Sequence, residues 1–211
     1  MPLSMKRYTV FLLLFFLLFL GCSNEEEEQV MVGVFQQYQA ALSEEDPGKI
    51  LNCIDSNSRQ YLLAQLELLR REDRKAVQEY VTKSPHPVLN VEMIARALNY
   101  YQPEQIDTIS FDNFLHFDLG YWIELEKPVM EGYTFREKLL VNDRKGILKF
   151  ARLMADGRYM VADMEFLKEN GTWKLNLMER LDVQEINART ILKTMDRNIW
   201  KYVAETLDKY Y

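Results

Sequence analysis

The spacing of hydrophobic residues predicts helices in the first half of the chain. From Val30 to Leu42, apolar side chains recur every three or four residues, which indicates one amphipathic helix. Asp46 followed by Pro47 is typical of a capped helix start, so a short second helix is expected there. After a polar break, a longer helix is predicted to continue to about Thr82. Further helices are predicted from Glu92 to Tyr101 and from Ser110 to about Trp122.

The third quarter of the chain changes to a period of two, which is the period of strands. Apolar and polar residues alternate from Gly132 onward. Asp156-Gly157 and Asn170-Gly171 are dipeptides typical of tight hairpin turns. Short strands joined by such turns predict an antiparallel meander. The four predicted strands are residues 133–141, 147–154, 160–166 and 173–181.

The C-terminal part of the chain returns to helical spacing. Between Val183 and Tyr210, apolar residues share one stripe at 3.6 residues per turn, which predicts a single helix of about seven turns. The expected fold class is therefore α+β, with N-terminal helices packed on a curved antiparallel sheet and a long C-terminal helix after it. The predicted stripe consists of Val183, Ile186, Ile191, Met195, Ile199, Val203 and Leu207.

The first residues have the pattern of an export signal. Lys6 and Arg7 precede an uninterrupted apolar run of eleven residues from Val10 to Leu20. A helix that crosses a membrane needs about 20 apolar residues, so this run is too short to span one. A basic start, a short apolar core and a small residue before a polar segment are typical of a cleaved signal peptide. We therefore expect residues 1–21 to be removed.

The end of this segment, Phe19-Leu20-Gly21-Cys22, resembles the lipobox of bacterial lipoproteins. The resemblance implies that Cys22 is acylated and becomes the mature N-terminus. It departs from the family pattern at Phe19, where leucine is preferred. Each buried acyl CH₂ contributes about 0.8 kcal/mol, and stable attachment takes more than one chain. The resemblance thus implies a protein of the bacterial cell envelope that is held at the membrane by lipid.

Four consecutive glutamates at residues 25–28 follow the cysteine. They resemble the acidic signal that directs some Bacteroidota lipoproteins to the cell surface, and they fit equally well a solvated tether extended by like charges. Ser23 stands where an aspartate would retain an enterobacterial lipoprotein at the inner membrane. We expect the outer membrane, with the cell surface as the alternative. The chain then divides into a signal peptide (1–21), an acidic tether (22–29) and one α+β domain (30–211).

Charge and cysteine content exclude several kinds of partner. Removal of Lys6 and Arg7 leaves 24 basic and 32 acidic residues, a formal net charge of −8. This balance argues against nucleic acid, which requires a basic surface. With Cys22 committed to lipid, Cys53 has no partner for an intramolecular disulfide, and its apolar neighbours favour a buried thiol. The sequence contains no metal-binding motif, so neither a metal nor another cofactor is predicted.

Two stretches of the chain resemble the NTF2-like (cystatin-like α+β) fold. Residues 34–55, VFQQYQAALSEEDPGKILNCID, are similar to its first helix, acidic turn and second helix, and residues 164–177, MEFLKENGTWKLNL, are similar to its last hairpin. The longer helical half and the helix after the sheet depart from the pattern. The resemblance implies a cone-shaped pocket between the sheet and the helices. It implies no particular activity, because this fold hosts enzymes, transport adaptors and binding modules.

Three charged residues interrupt the apolar faces of the predicted strands. Glu137, Arg152 and Glu179 each stand where the alternation expects an inward side chain. A buried charge is costly unless it is paired, so the three together suggest the floor of a ligand-binding pocket. The alternative is that they reach water or form a structural ion pair. His116 and Asp118 resemble the His/Asp pairs of the fold's dehydratases, but on a helix they would point about 200° apart.

Three functions remain open from the sequence. The first is a non-catalytic envelope lipoprotein that binds a small molecule or another envelope protein. The second is an enzyme of the dehydratase or isomerase kind, with Glu137 or Glu179 as the base. The third is a structural partner that docks through the helix from Val183 to Tyr210.

Overall fold

The first described helix carries the acidic segment. The computed structural model describes residues 25–71 and 73–211; the predicted signal peptide (1–21) and Cys22 lie outside the described residues. Helix α1 covers residues 25–43, so the described part of the predicted tether is helical. Glu27 accepts hydrogen bonds from Lys168 and from the indole of Trp173, and Glu28 forms an ion pair with Lys138. The glutamates therefore contact the sheet.

Three helices follow α1, and each begins at an aspartate that accepts hydrogen bonds from the first turn. The predicted short helix is confirmed, with Asp46 accepting from the Lys49 amide at 3.0 Å. The predicted helix that continues to Thr82 is wrong, because Asp73 caps a separate helix whose Val77 and Val81 are buried. Turning the chain at this point lets both valines enter the core. The three helices are α2 (Pro47–Cys53), α3 (Ser56–Leu69) and α4 (Arg74–Lys83).

The next three helices bring aromatic residues together on one side of the molecule. The predicted helix over residues 92–101 is present but begins earlier, at Pro87, because a proline fits the first helical position. The predicted start at Ser110 is confirmed, since its side chain accepts from the Asn113 amide at 3.2 Å. The helices are α5 (Pro87–Tyr100), α6 (Pro103–Thr108) and α7 (Phe111–Met130).

The predicted antiparallel meander is confirmed. The described residues form a four-stranded sheet in the order β1-β2-β3-β4. Leu148 and Phe150 of β2 pair with Met164 and Ala162 of β3, and this face of the sheet is turned toward the helices. The strands are β1 (Thr134–Val141), β2 (Lys145–Leu153), β3 (Tyr159–Glu169) and β4 (Thr172–Leu175).

The C-terminal region differs from the prediction in two ways. The last strand ends at Leu175, because Asn176 caps a helix by accepting from the Met178 amide at 3.1 Å. The single long helix is also wrong: it is two helices separated by a turn. Asp196 takes a left-handed conformation in that turn (φ 55°), and Asn198 caps the second helix. The two helices are α8 (Leu177–Thr194) and α9 (Ile199–Tyr210).

Two groups of buried side chains form the core. The first lies between the sheet and α1, where the rings of Phe35 and Phe150 are 3.9 Å apart between centroids. The second joins α3, α4, α5 and α9 and includes Val203 and Leu207 of α9. Helix α9 therefore packs against the N-terminal helices instead of continuing the line of α8. Among the described helices, none is both long and apolar enough to cross a membrane.

Candidate ligand site between α5, α6 and α7

Large side chains occupy the space between the sheet and the helices, where the ligand site was expected. Tyr38, Phe150 and Trp173 are all buried there. The Trp122 indole donates a hydrogen bond to the Tyr38 hydroxyl at 2.8 Å, which fixes both rings in this layer. This part of the molecule is a packed core.

Glu137 and Arg152 lie on opposite faces of the sheet. Glu137 is on the face turned away from the helices, where it forms an exposed ion pair with Lys149 on the neighbouring strand. Arg152 follows Leu148 and Phe150 on the inner face, at the end of β2. Its guanidinium donates to the backbone oxygen of Pro128 at 2.6 Å. The two side chains therefore do not meet in one cavity.

Glu179 lies on a helix and not on a strand. It stands in the first turn of α8, where it accepts a hydrogen bond from the Glu165 amide of β3 at 2.9 Å. Burial raises the pKa of Glu179, because desolvation disfavours the carboxylate, and the bond from the Glu165 amide partly offsets this effect. Its contact joins α8 to the sheet, away from Glu137 and Arg152.

A small cavity of about 50 Å³ lies among α3, α5, α7 and α8. Arg96 donates to Asp118 at 3.3 Å, and its guanidinium stacks 3.6 Å above the centre of the Tyr121 ring. Burial raises the pKa of Asp118, because removal from water disfavours the carboxylate, and the charge of Arg96 partly offsets this rise. Arg96 and Asp118 are thus the charged residues in the described wall of the cavity, which is otherwise mainly apolar.

A buried amide completes the wall of this cavity. The Gln65 side chain donates to Asn90 Oδ1 at 2.8 Å, and the Tyr61 hydroxyl donates to the same oxygen at 2.7 Å. Gln65 Oε1 has no hydrogen-bond partner among the described residues. A volume of this size holds one or a few water molecules, whereas ligand pockets usually measure about 300–1,000 Å³. The cavity is therefore suited to water and not to a larger ligand.

A wider depression of about 720 Å³ opens one turn further along α5. Three aromatic rings form its apolar wall: Tyr100 and Phe117 are 5.0 Å apart between centroids, and Tyr101 lies 4.8 Å from Tyr100 and 5.1 Å from Phe117. Tyr100 is 69% exposed although its ring is large and apolar. The other described lining residues include no Asp, Glu, Lys or Arg, and all except Ile109 carry hydrogen-bonding side chains. They are Gln105, Thr108, Ile109, Ser110, Asn113 and His116.

The sequence-based search for a site missed this aromatic depression. Tyr100 and Tyr101 stand at the end of α5, and Phe117 reaches them from α7. Phe117 lies within the helix predicted to begin at Ser110, and no periodicity shows that the end of α5 lies beside the N-terminal part of α7. His116 lines the depression whereas Asp118 lines the inner cavity, which agrees with the expected divergence of the two on a helix.

The described residues form neither a metal-binding cluster nor an exposed thiol. Within the described residues, no three His, Cys, Asp or Glu side chains are grouped so that they could hold a metal ion. Cys53 is buried among apolar neighbours, and burial raises the pKa of its thiol because it disfavours the thiolate. Such a cysteine is a packing residue and not a reactive nucleophile.

The described fold is an α+β domain with an aromatic depression on its helical side. No protein-family model matches the chain, and no curated protein matches it in sequence.

Proposed function

We propose that the protein is a lipid-anchored envelope protein whose domain is a non-catalytic binding module, and that the aromatic depression is its ligand site. The exposed ring of Tyr100 beside Tyr101 and Phe117 is the observation that carries this proposal. Large exposed aromatic groups are unfavourable in water and are concentrated where proteins bind other molecules. The described depression also lies within the usual range of ligand-site volumes.

The lining favours a saccharide as the ligand. A sugar ring presents C–H groups on its faces, which stack on aromatic rings, and hydroxyls at its edge, which bond to amides and hydroxyls. The depression offers both, with aromatic rings on one side and Gln105, Asn113 and His116 on the other. A phosphorylated or carboxylated ligand would be favoured by a lysine or an arginine, and the described lining residues include neither. The ligand class is therefore a neutral oligosaccharide.

The anchor part of the proposal rests on the N-terminal sequence. Residues 1–21 act as the signal peptide, and Cys22 carries the lipid that holds the protein at the outer membrane or on the cell surface. We also assign the fold of the domain to the NTF2-like arrangement. Support comes from α1, which crosses the inner face of an antiparallel meander, and from the short α2 that follows it.

The ligand is tested by titrating the full-length protein, purified in detergent, with chitotetraose, cellotetraose and maltotetraose, and by measuring binding with isothermal titration calorimetry. We expect at least one of the three to bind. Tyr100→Ala should weaken that binding about five- to tenfold, the equivalent of about 1–1.5 kcal/mol of aromatic contact. Tyr159→Ala, another exposed tyrosine on the β2–β3 hairpin, is the control and should bind normally. Absence of binding, or equal effects of both substitutions, would exclude the saccharide site.

The anchor is tested separately by Cys22→Ser. We expect the variant to leave the membrane fraction after a high-salt wash, whereas the unchanged protein stays. A variant that remained membrane-bound at high salt would show that Cys22 is not the anchor. This outcome leaves the saccharide test unaffected.

A further inference from the structure

The outward face of α8 carries an unusual uncharged stripe. Its inner face is buried against the domain through residues such as Leu181 and Leu192. On the opposite face, Ile186, Ile191 and Met195 are 62%, 58% and 60% exposed. The stripe follows the spacing of one helical face and has no charged member. We call it the α8 stripe; it consists of Val183, Ile186, Asn187, Thr190, Ile191, Thr194 and Met195.

The threonines of the α8 stripe add to its apolar character. The Thr190 hydroxyl donates to the Ile186 backbone oxygen at 2.8 Å, and the Thr194 hydroxyl donates to the Ile191 backbone oxygen at 2.7 Å. Because both hydroxyls use their donors within the helix, the methyl groups face outward. Asn187, which is exposed, is then the one polar side chain among the described members of the stripe whose hydrogen-bond donors are not used within the helix.

The length of the α8 stripe distinguishes it from ordinary surface apolar residues. It extends over about three turns, or roughly 18 Å of helix. Single exposed apolar residues are common on soluble proteins, but a continuous apolar face on a helix indicates a partner. An opposing helix with the same spacing fits such a face, because side chains at positions three and four apart interdigitate.

We propose that the α8 stripe is the interface of a homodimer in which two copies of α8 pack antiparallel about a two-fold axis. The charged residues beside the stripe indicate that the partner is a second copy of the chain and that the two α8 helices pack antiparallel. Asp182 and Lys193 lie about three turns apart on the same flank of α8. In an antiparallel pair the same flank of each copy faces the other, so Asp182 of each copy lies beside Lys193 of its partner. In a parallel pair this flank would face the opposite flank of the partner, and the two charges would not meet. Antiparallel packing also places the positive end of each helix dipole beside the negative end of the other, which is favourable.

The size of this surface predicts the strength of the dimer. One pair of three-turn helices buries less than the roughly 1,200–2,000 Å² of a typical stable complex. The dimer is therefore weak when the protein is dilute in solution. Attachment of both copies to one membrane would raise their effective concentration and favour the dimer. Asn187 near the centre of the stripe is suited to fixing the alignment of the two helices.

Cysteine cross-linking tests the antiparallel geometry. Two differently tagged full-length chains, one with Val183→Cys and the other with Thr194→Cys, are expressed together in bacterial cells and oxidised with copper phenanthroline. An antiparallel pair places position 183 beside position 194 of the second copy, so we expect a disulfide-linked dimer that carries both tags. Val183→Cys expressed alone should give little dimer. A dimer joined through two copies of position 183 would overturn the antiparallel geometry, and absence of the mixed dimer would overturn the interface.

Charge substitution tests whether the apolar side chains cause the contact. We expect Ile186→Glu, added to both cysteine variants, to reduce the yield of mixed dimer at least fivefold. Leu153→Glu is the matched control, because Leu153 is equally exposed but lies on the β2–β3 hairpin. Equal yields from the two variants, or cross-linking of the stripe to a different protein in place of the second copy, would refute the homodimer. Circular dichroism of each variant verifies that the fold is retained.

Discussion

At the scale of single residues, Asp118 makes the stability of the domain depend on pH. Burial raises its pKa in the folded protein above the value of about 3.9 expected in the unfolded chain. Its contribution to stability is therefore fully present below pH 4 and is lost as the pH rises through the raised folded pKa. Asp118→Asn should remove this loss, so that the variant's free energy of unfolding falls less between pH 4 and pH 7.

Urea unfolding at several pH values measures this difference. Asp112→Asn is the control, since Asp112 lies on the same helix but is exposed to water. Parallel curves for the original protein and for Asp118→Asn would show that the Asp118 carboxyl is not perturbed by burial.

Glu126 and Arg180 form a buried ion pair. Arg180 donates two hydrogen bonds to the Glu126 carboxylate, at 3.0 and 3.1 Å, and Glu126 is fully buried. Arg180→Met leaves that carboxylate with Gln184 as its remaining donor. We expect a loss of about 3–5 kcal/mol in the free energy of unfolding. Lys149→Met breaks the surface pair with Glu137 and should cost less than about 1 kcal/mol. Similar losses in urea unfolding would contradict the distinction.

At the scale of elements, Asp55 connects the starts of two helices. It accepts from the Ser58 amide at 3.3 Å and from the Ser58 hydroxyl, and Ser58 Oγ accepts from the Leu177 amide at 3.0 Å. Asp55→Ala should therefore weaken both α3 and the beginning of α8, at a cost of about 2 kcal/mol or more. Asp73→Ala removes an exposed cap of α4 and should cost about 1 kcal/mol or less. Thermal unfolding of both variants gives the comparison, and equal costs would argue against the connection.

The sequence predicted most element types correctly, but it did not predict which side of α8 is buried. The predicted C-terminal stripe combined two faces that point in different directions: Ile186 and Ile191 are exposed on α8, whereas Val203 and Leu207 are buried on α9. Apolar spacing continued across the turn at Asp196, so one long helix fitted the pattern. The spacing of apolar residues shows that a helix has an apolar face. It does not show whether that face packs against the core or against a partner.

At the scale of the whole molecule, Gly146 sets how closely α1 approaches the sheet. A Cβ at this position would collide with the Sδ atom of Met31, which is fully buried. Gly146→Ala should cost about 1–3 kcal/mol because the packed side chain must move. Gly33→Ala is the control: it lies in α1 with open space around it and should be neutral or stabilising by about 0.5–1 kcal/mol. In combination with Met31→Ala, the Gly146→Ala cost should shrink. Strict additivity in urea unfolding would contradict the close contact.

The overall fold was more predictable from the sequence than the candidate site. The meander depends on local features of the sequence, namely the alternation of apolar and polar residues and the turns at Asp156-Gly157 and Asn170-Gly171. Because these features involve residues that are close in the chain, they predict the meander directly. The aromatic depression depends on Tyr100 and Phe117, which meet through packing between distant segments. The predicted pocket residues lie apart for the same reason: Glu179 belongs to a helix that Asn176 begins. The pattern of apolar residues within one element does not show how far its side chains lie from those of another element.

The contacts of Glu27 and Glu28 with the sheet limit how far the domain can stand from a bilayer. If Cys22 carries the lipid, residues 23 and 24 alone separate that lipid from the first turn of α1. An extended segment of this length reaches about 10 Å. The domain would then stay close to the headgroups, and it would collect what arrives at that surface instead of reaching outward on a long stalk.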